Sequence, residues 1–96
     1  KDLQNPSKDF VPARPLRYTS AMTTRPTKHS LTLHGHRTSV SLEPEFWDAF
    51  RSIAVAQGTP LNALAAEIDD ARKGEEGLAS AIRVFCLGHY RRRAEA

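Results

Sequence analysis

A chain of 96 residues holds one small domain, and a core of that size is marginal by itself, so oligomerisation is a common remedy. One cysteine, Cys86, excludes an intramolecular disulfide framework; no apolar run is long enough to span a membrane and no apolar signal core stands near the start, so a cytoplasmic setting is expected. The formal net charge is +3, but residues 1–30 carry six Lys/Arg against two Asp, residues 43–76 eight Asp/Glu against three Lys/Arg, and residues 77–96 four Arg against one Glu, so basic ends able to meet a polyanion flank an acidic middle.

Residues 1–27 show no sustained period and hold four of the six prolines. Such a segment buries too little to offset its ordering entropy, and it is expected to be a flexible basic arm. Met22 leaves two alternatives open, a natural start with residues 1–21 an upstream extension, or an arm that is native throughout. Arg14, Arg17, Arg25 and Lys28 are either phosphate contacts or merely solubilising charge.

Ser30-Leu31-Thr32-Leu33 alternates, and His34-Gly35 follows. Two alternatives stand there, a hairpin turn or a bulge in one longer strand, with the hairpin or an extended arm favoured. Arg37-Thr38-Ser39-Val40-Ser41-Leu42 alternates again, with Arg37, Ser39 and Ser41 on one face and Thr38, Val40 and Leu42 on the other. A lone strand of this size needs a partner, and with no second copy of the pattern downstream a second protomer is the simplest source.

At Pro44 the period becomes helical, since proline suits a first helical position. Glu43 is the expected N-cap, with Glu43 and Glu45 beside the positive end of the helix dipole. Phe46, Phe50, Ile53 and Ala54 share a face, Trp47 widens it, and Gly58 should close the helix in the left-handed conformation. Thr59 is the expected N-cap of helix two, with Pro60 in its first turn and Leu61, Leu64, Ala65 and Ile68 inward. The free N–H groups at that start are a possible anion site. After the polar turn Lys73–Gly77, helix three runs from Leu78 to about Arg92. Leu78, Ala81, Ile82, Phe85 and His89 lie on one face, and Val84 and Leu87 broaden it, a width that suggests burial on more than one side.

Catalytic and metal chemistry find little support. His34-x-His36 and Cys86-x-x-His89 hold metal-ligand residue types, but no paired motif completes a zinc site. No glycine-rich phosphate loop and no nucleophile–base–orienter set is present, so neither an enzyme nor a cofactor is expected.

The run His34-Gly35-His36-Arg37-Thr38-Ser39-Val40-Ser41-Leu42-Glu43, with Phe46-Trp47, the Gly58-Thr59 turn and Ser80-Ala81-Ile82-Arg83-Val84-Phe85, resembles ribbon-helix-helix proteins of the Arc/MetJ/CopG superfamily. It is similar in particular to a bacterial ribbon-helix-helix domain family carrying a third C-terminal helix. The resemblance covers about residues 28–92. It implies a mainly α fold with a short β-strand: an intertwined homodimer whose intermolecular antiparallel β-ribbon enters the DNA major groove. Residues 28–93 would form the domain, 1–27 the arm and 94–96 a tail.

By position, Arg37, Ser39 and Ser41 match the base-contacting face of that ribbon. Lys28 and Arg25, with Thr59, Leu61 and Asn62 at the start of helix two, are the expected phosphate contacts. Thr38, Val40, Leu42, Phe46, Trp47, Phe50, Leu64, Ile68, Ile82 and Phe85 are the expected dimer core. The chain departs from the minimal pattern in its long third helix and its acidic second one. The function expected is a dimeric DNA-binding transcriptional regulator; the alternative is an antitoxin-like or adaptor module that binds another protein through the extra helix or the tails. A metal- or substrate-handling protein is the remote third.

Overall fold

The computed structural model describes residues 24–95, so the expected arm, apart from its last four positions, and the start-site question lie outside the described residues. Two strands, β1 (Thr27–Leu33) and β2 (His36–Leu42), precede three helices, α1 (Pro44–Gln57), α2 (Leu61–Ala71) and α3 (Leu78–Glu95). The strand expected to seek its partner in another protomer finds one inside the chain. β1 pairs antiparallel with β2, from Leu33 opposite His36 to Thr27 opposite Leu42. The connection is a two-residue turn with His34 at φ 52° and Gly35 at φ 81°. Positive φ at both central positions is the I′ geometry, whose twist matches that of the strands it joins. Gly35 takes this conformation freely, and histidine is among the few side chains enriched there. The first strand thus begins at Thr27, inside the segment expected to be the arm.

Alternation does the rest. Leu31 and Leu33 on β1 and Val40 and Leu42 on β2 are buried, and their neighbours in sequence are exposed or half-buried. That face packs on the helices: β1 lies against α2, and β2 against α1 and α3. The core joins these leucines and Val40 to Phe50 and Ile53 of α1, Leu64 and Ile68 of α2, and Ile82 and Cys86 of α3. Of the side chains expected at a dimer core, Val40, Leu42, Phe50, Leu64, Ile68 and Ile82 are therefore buried within one chain. Thr38, Phe46, Trp47 and Phe85 are half-buried. Trp47 packs against the core and meets the hairpin: its ring stacks on His29 with centroids 3.9 Å apart and planes 4° from parallel.

The α1 termini follow their sequence. Glu43 takes extended backbone at the N-cap with no side-chain cap, and Gly58 closes the helix at φ 67°. Helix two starts differently from expectation, because the same termination claims Thr59. Its backbone N–H donates to the Ala54 carbonyl at 3.0 Å, and its hydroxyl turns back to the Gln57 carbonyl at 3.4 Å. The cap position falls to Pro60 (φ −59°, ψ 144°), whose carbonyl accepts the Leu64 N–H. Helix α3 runs past Arg92 to Glu95 and buries Ala81, Ile82 and Cys86. Phe85 and His89 are only half-buried, while Val84 and Leu87 stand 63% and 57% exposed.

Candidate nucleic-acid interface

The face of the hairpin turned away from the core is polar throughout. Arg37, Ser39 and Ser41 of β2 are all exposed, as their alternation requires. Opposite them on β1 stand Thr32, Ser30 and Lys28, also exposed. Side chains directly opposite on an antiparallel pair lie about 5 Å apart. The surface therefore combines two cations with four hydroxyls, and none of the six residues is acidic. Sequence reasoning had placed Arg37, Ser39 and Ser41 together but missed Ser30 and Thr32; the signal was the alternation of residues 30–33, which needed only the hairpin to give it a phase.

Hydrogen bonding separates the two edges of the sheet. In a two-residue hairpin the residues flanking the loop form a hydrogen-bonded pair, and bonded and non-bonded pairs then alternate. Leu33–His36 is bonded, so the backbone groups of Thr32, Ser30 and Lys28 point outward from β1, and those of Arg37, Ser39 and Ser41 outward from β2. Two contacts agree. The Thr32 N–H donates to Asn62 Oδ1 at 3.1 Å, and Arg83 Nη2 reaches the Ser41 carbonyl at 3.5 Å. The start of α2 thus lies against the outer side of β1. Among the described residues no bond reaches the outward backbone groups of Lys28 and Ser30 on β1, or of Arg37 and Ser39 on β2.

The other expected phosphate contacts are distributed around this sheet. Arg25 is exposed just ahead of β1, next to Thr24, whose hydroxyl donates to Glu45 Oε1 at 2.6 Å. Thr59 and Leu61 are half-buried. Asn62 is exposed, its carbonyl oxygen already committed to Thr32. Behind the end of β2, Arg83 bonds Glu43 Oε1 through Nε and Nη2, each at 3.0 Å, and lies 5.8 Å from the Phe46 ring centre. The Glu43 backbone N–H, and then Arg83, hold this carboxyl below its usual range against a partial loss of solvent.

At the hairpin tip, His34 Nε2 lies 2.9 Å from Asp70 Oδ1. Asp69 completes a group whose ligand atoms fall within 4.8 Å of one another, although Arg72 already holds Asp69 Oδ1 at 2.7 Å. The two sequence-level metal pairs separate differently: His34 turns to Asp70, and Cys86 is buried, its thiol pushed up to about 11 by desolvation.

A second surface lies between α1 and α3. It is an apolar groove of about 310 Å³ whose walls include Phe46, Ala49, Val84, Leu87 and Tyr90, with Arg83 among them. No helix among the described residues is long and apolar enough to cross a membrane.

A two-stranded antiparallel ribbon with an arginine-and-hydroxyl face, backed by helices, is the kind of element that β-ribbon DNA readers present. A family profile described as "Ribbon-helix-helix domain" matches residues 26–90. The chain belongs to the ribbon-helix-helix family. Domains of this kind are DNA-binding modules that dimerise, and they are typically not enzymes. No curated protein and no solved structure matches the chain significantly.

Proposed function

We propose that this chain is a sequence-specific DNA-binding protein, a dimeric transcriptional regulator in which two copies join β2 to β2 and lay the joined strands in the major groove. The observation that carries it is the outward face of β2, where Arg37, Ser39 and Ser41 are exposed in a row. The guanidinium of Arg37 matches the paired acceptors of guanine, and the serine hydroxyls can donate or accept. They are also short enough to let the strand sit deep. Arg25, Lys28 and the N–H groups of Leu61 and Asn62 hold phosphates, while the Thr59 N–H is taken by the Ala54 carbonyl.

The outward backbone groups of Arg37 and Ser39 support the pairing, because a strand edge with free N–H and C=O groups is a template for another strand. The apolar groove between α1 and α3 supports a second copy as well, since Val84, Leu87 and Tyr90 leave a large apolar surface in water. That same groove favours one other reading, an adaptor module that docks another protein on α3.

Mobility shifts with random genomic duplex at low and moderate salt, followed by selection from randomised duplexes, test the proposal. The expected result is a twofold-symmetric motif that survives moderate salt. Arg37→Ala should relax preference at one symmetric pair of base positions, a discrimination of about 1–3 kcal/mol. No shift even at low salt would overturn DNA recognition and leave the adaptor standing.

A further inference from the structure

We propose that β1 is a phosphate-gripping strand: in the DNA complex its exposed residues Lys28, Ser30 and Thr32 rest on the sugar–phosphate walls of the groove and hold the duplex without reading its sequence. The proposal rests on the β2-to-β2 pairing above and adds to it a strand with a separate task.

The sheet's geometry leads there. Lys28, Ser30 and Thr32 share the outward face with Ser41, Ser39 and Arg37, each one strand further out. Asn62 takes the outward N–H of Thr32 on β1, and joining two copies through β2, as proposed above, leaves both β1 strands outermost. Neighbouring strands stand about 4.8 Å apart, so the outer strands of a four-stranded sheet are separated by about 14 Å. The major groove is about 12 Å wide and admits two strands. The two β2 strands fit within it, and the two β1 strands meet its rims.

The residue types suit a rim. Lysine is a compact point charge that binds phosphate without directional demand. Serine and threonine hydroxyls donate to phosphate oxygens, as do many of the contacts that fix register on a duplex. The start of α2, tied to Thr32 through Asn62, continues the same wall with backbone N–H groups. If instead one hairpin alone filled the groove, β1 would face base edges, and Ser30 and Thr32 would read sequence.

The experiment uses the full chain, binding to its selected duplex and to a randomised pool at about 50 mM and about 200 mM salt. Lys28→Ala, Ser30→Ala and Thr32→Val are compared with wild type and with Arg37→Ala, each checked for native circular dichroism. Lys28→Ala should weaken binding on both duplexes alike and leave the motif unchanged. Losing two phosphate contacts per dimer should narrow its gap to wild type about tenfold between the two salt concentrations. Ser30→Ala and Thr32→Val should lower affinity equally on both duplexes without altering the salt slope. A changed motif in any β1 variant would overturn the proposal in favour of a reading hairpin, and so would unchanged affinity and salt slope in Lys28→Ala. If Arg37→Ala alters the motif while the β1 variants bind like wild type, β1 has no part in binding and DNA recognition by β2 still stands. A wild-type chain that binds no DNA would overturn both.

Discussion

Val40 and Ser39 are neighbours in the chain with opposite fates in the fold, so replacing each by alanine tests the strand phase directly. Val40 is 4% exposed and packs in the shared core. Val40→Ala removes two carbons at about 0.8 kcal/mol each, and the hole left behind raises the loss to about 2–3 kcal/mol. A domain of about seventy residues has a stability of roughly 4–10 kcal/mol, so the variant should still fold. Each kilocalorie moves the midpoint of a domain this size by about 4–8 °C, so the melting temperature should fall by about 10–20 °C. Ser39 is exposed, and Ser39→Ala should stay within about 0.5 kcal/mol of wild type. The assay is thermal unfolding by far-ultraviolet circular dichroism at one fixed protein concentration, since association shifts apparent stability. A Ser39→Ala chain that melts as early as Val40→Ala would show that β2 has the opposite phase. The face assigned to DNA would then be the core.

Other outcomes follow from single contacts. Gly58→Ala places a side chain at φ 67° and should cost about 1–2 kcal/mol in urea unfolding; an unchanged midpoint would mean α1 ends otherwise. Arg83→Ala should destabilise the native state and weaken its response to acid. The lowered Glu43 carboxyl contributes stability above its ordinary value of 4.5 and loses it as pH falls through the folded value, so acid titration of wild type and variant should diverge at neutral pH and converge in acid. Cys86 has the opposite sign. Its thiol, raised from 9.0 to about 11, should lend stability that is fully present below pH 9 and is lost as pH rises through 11. Alkylation of Cys86 should accordingly wait on unfolding, and rapid labelling of the native chain at neutral pH would contradict its burial.

The helices were legible because their signals are local. Pro44 opens α1, Gly58 ends it, and the apolar positions of α2 recur every three or four residues; these features need no knowledge of the rest of the fold. The strand phase was equally plain, since a period of two assigns each side chain of 37–42 to a face. What escaped was non-local. The hairpin at His34-Gly35 was among the alternatives the sequence offered, but nothing in residues 27–33 states that their partner is 36–42 rather than another molecule, and only the pairing decides it. Thr59 failed as a cap because the preceding helix competes for it, a conflict visible only once both helices are placed. For the candidate site, Arg37, Ser39 and Ser41 came with the strand phase. Ser30 and Thr32 required the pairing, and Asn62 acquired its role from a bond to a residue thirty positions away.

Each side of this small sheet is occupied at one end, and that bears on how far it can grow. Asn62 takes the Thr32 N–H on the β1 side, and Arg83 reaches the Ser41 carbonyl on the β2 side. A sheet with two open sides can add strands without end, which is the route to fibres. If two copies join through β2, the encounter spends that side of both. The assembly then terminates at a pair only so far as Asn62 and the start of α2 keep a further strand off β1. In that pair the asparagine would be what makes the chain self-limiting.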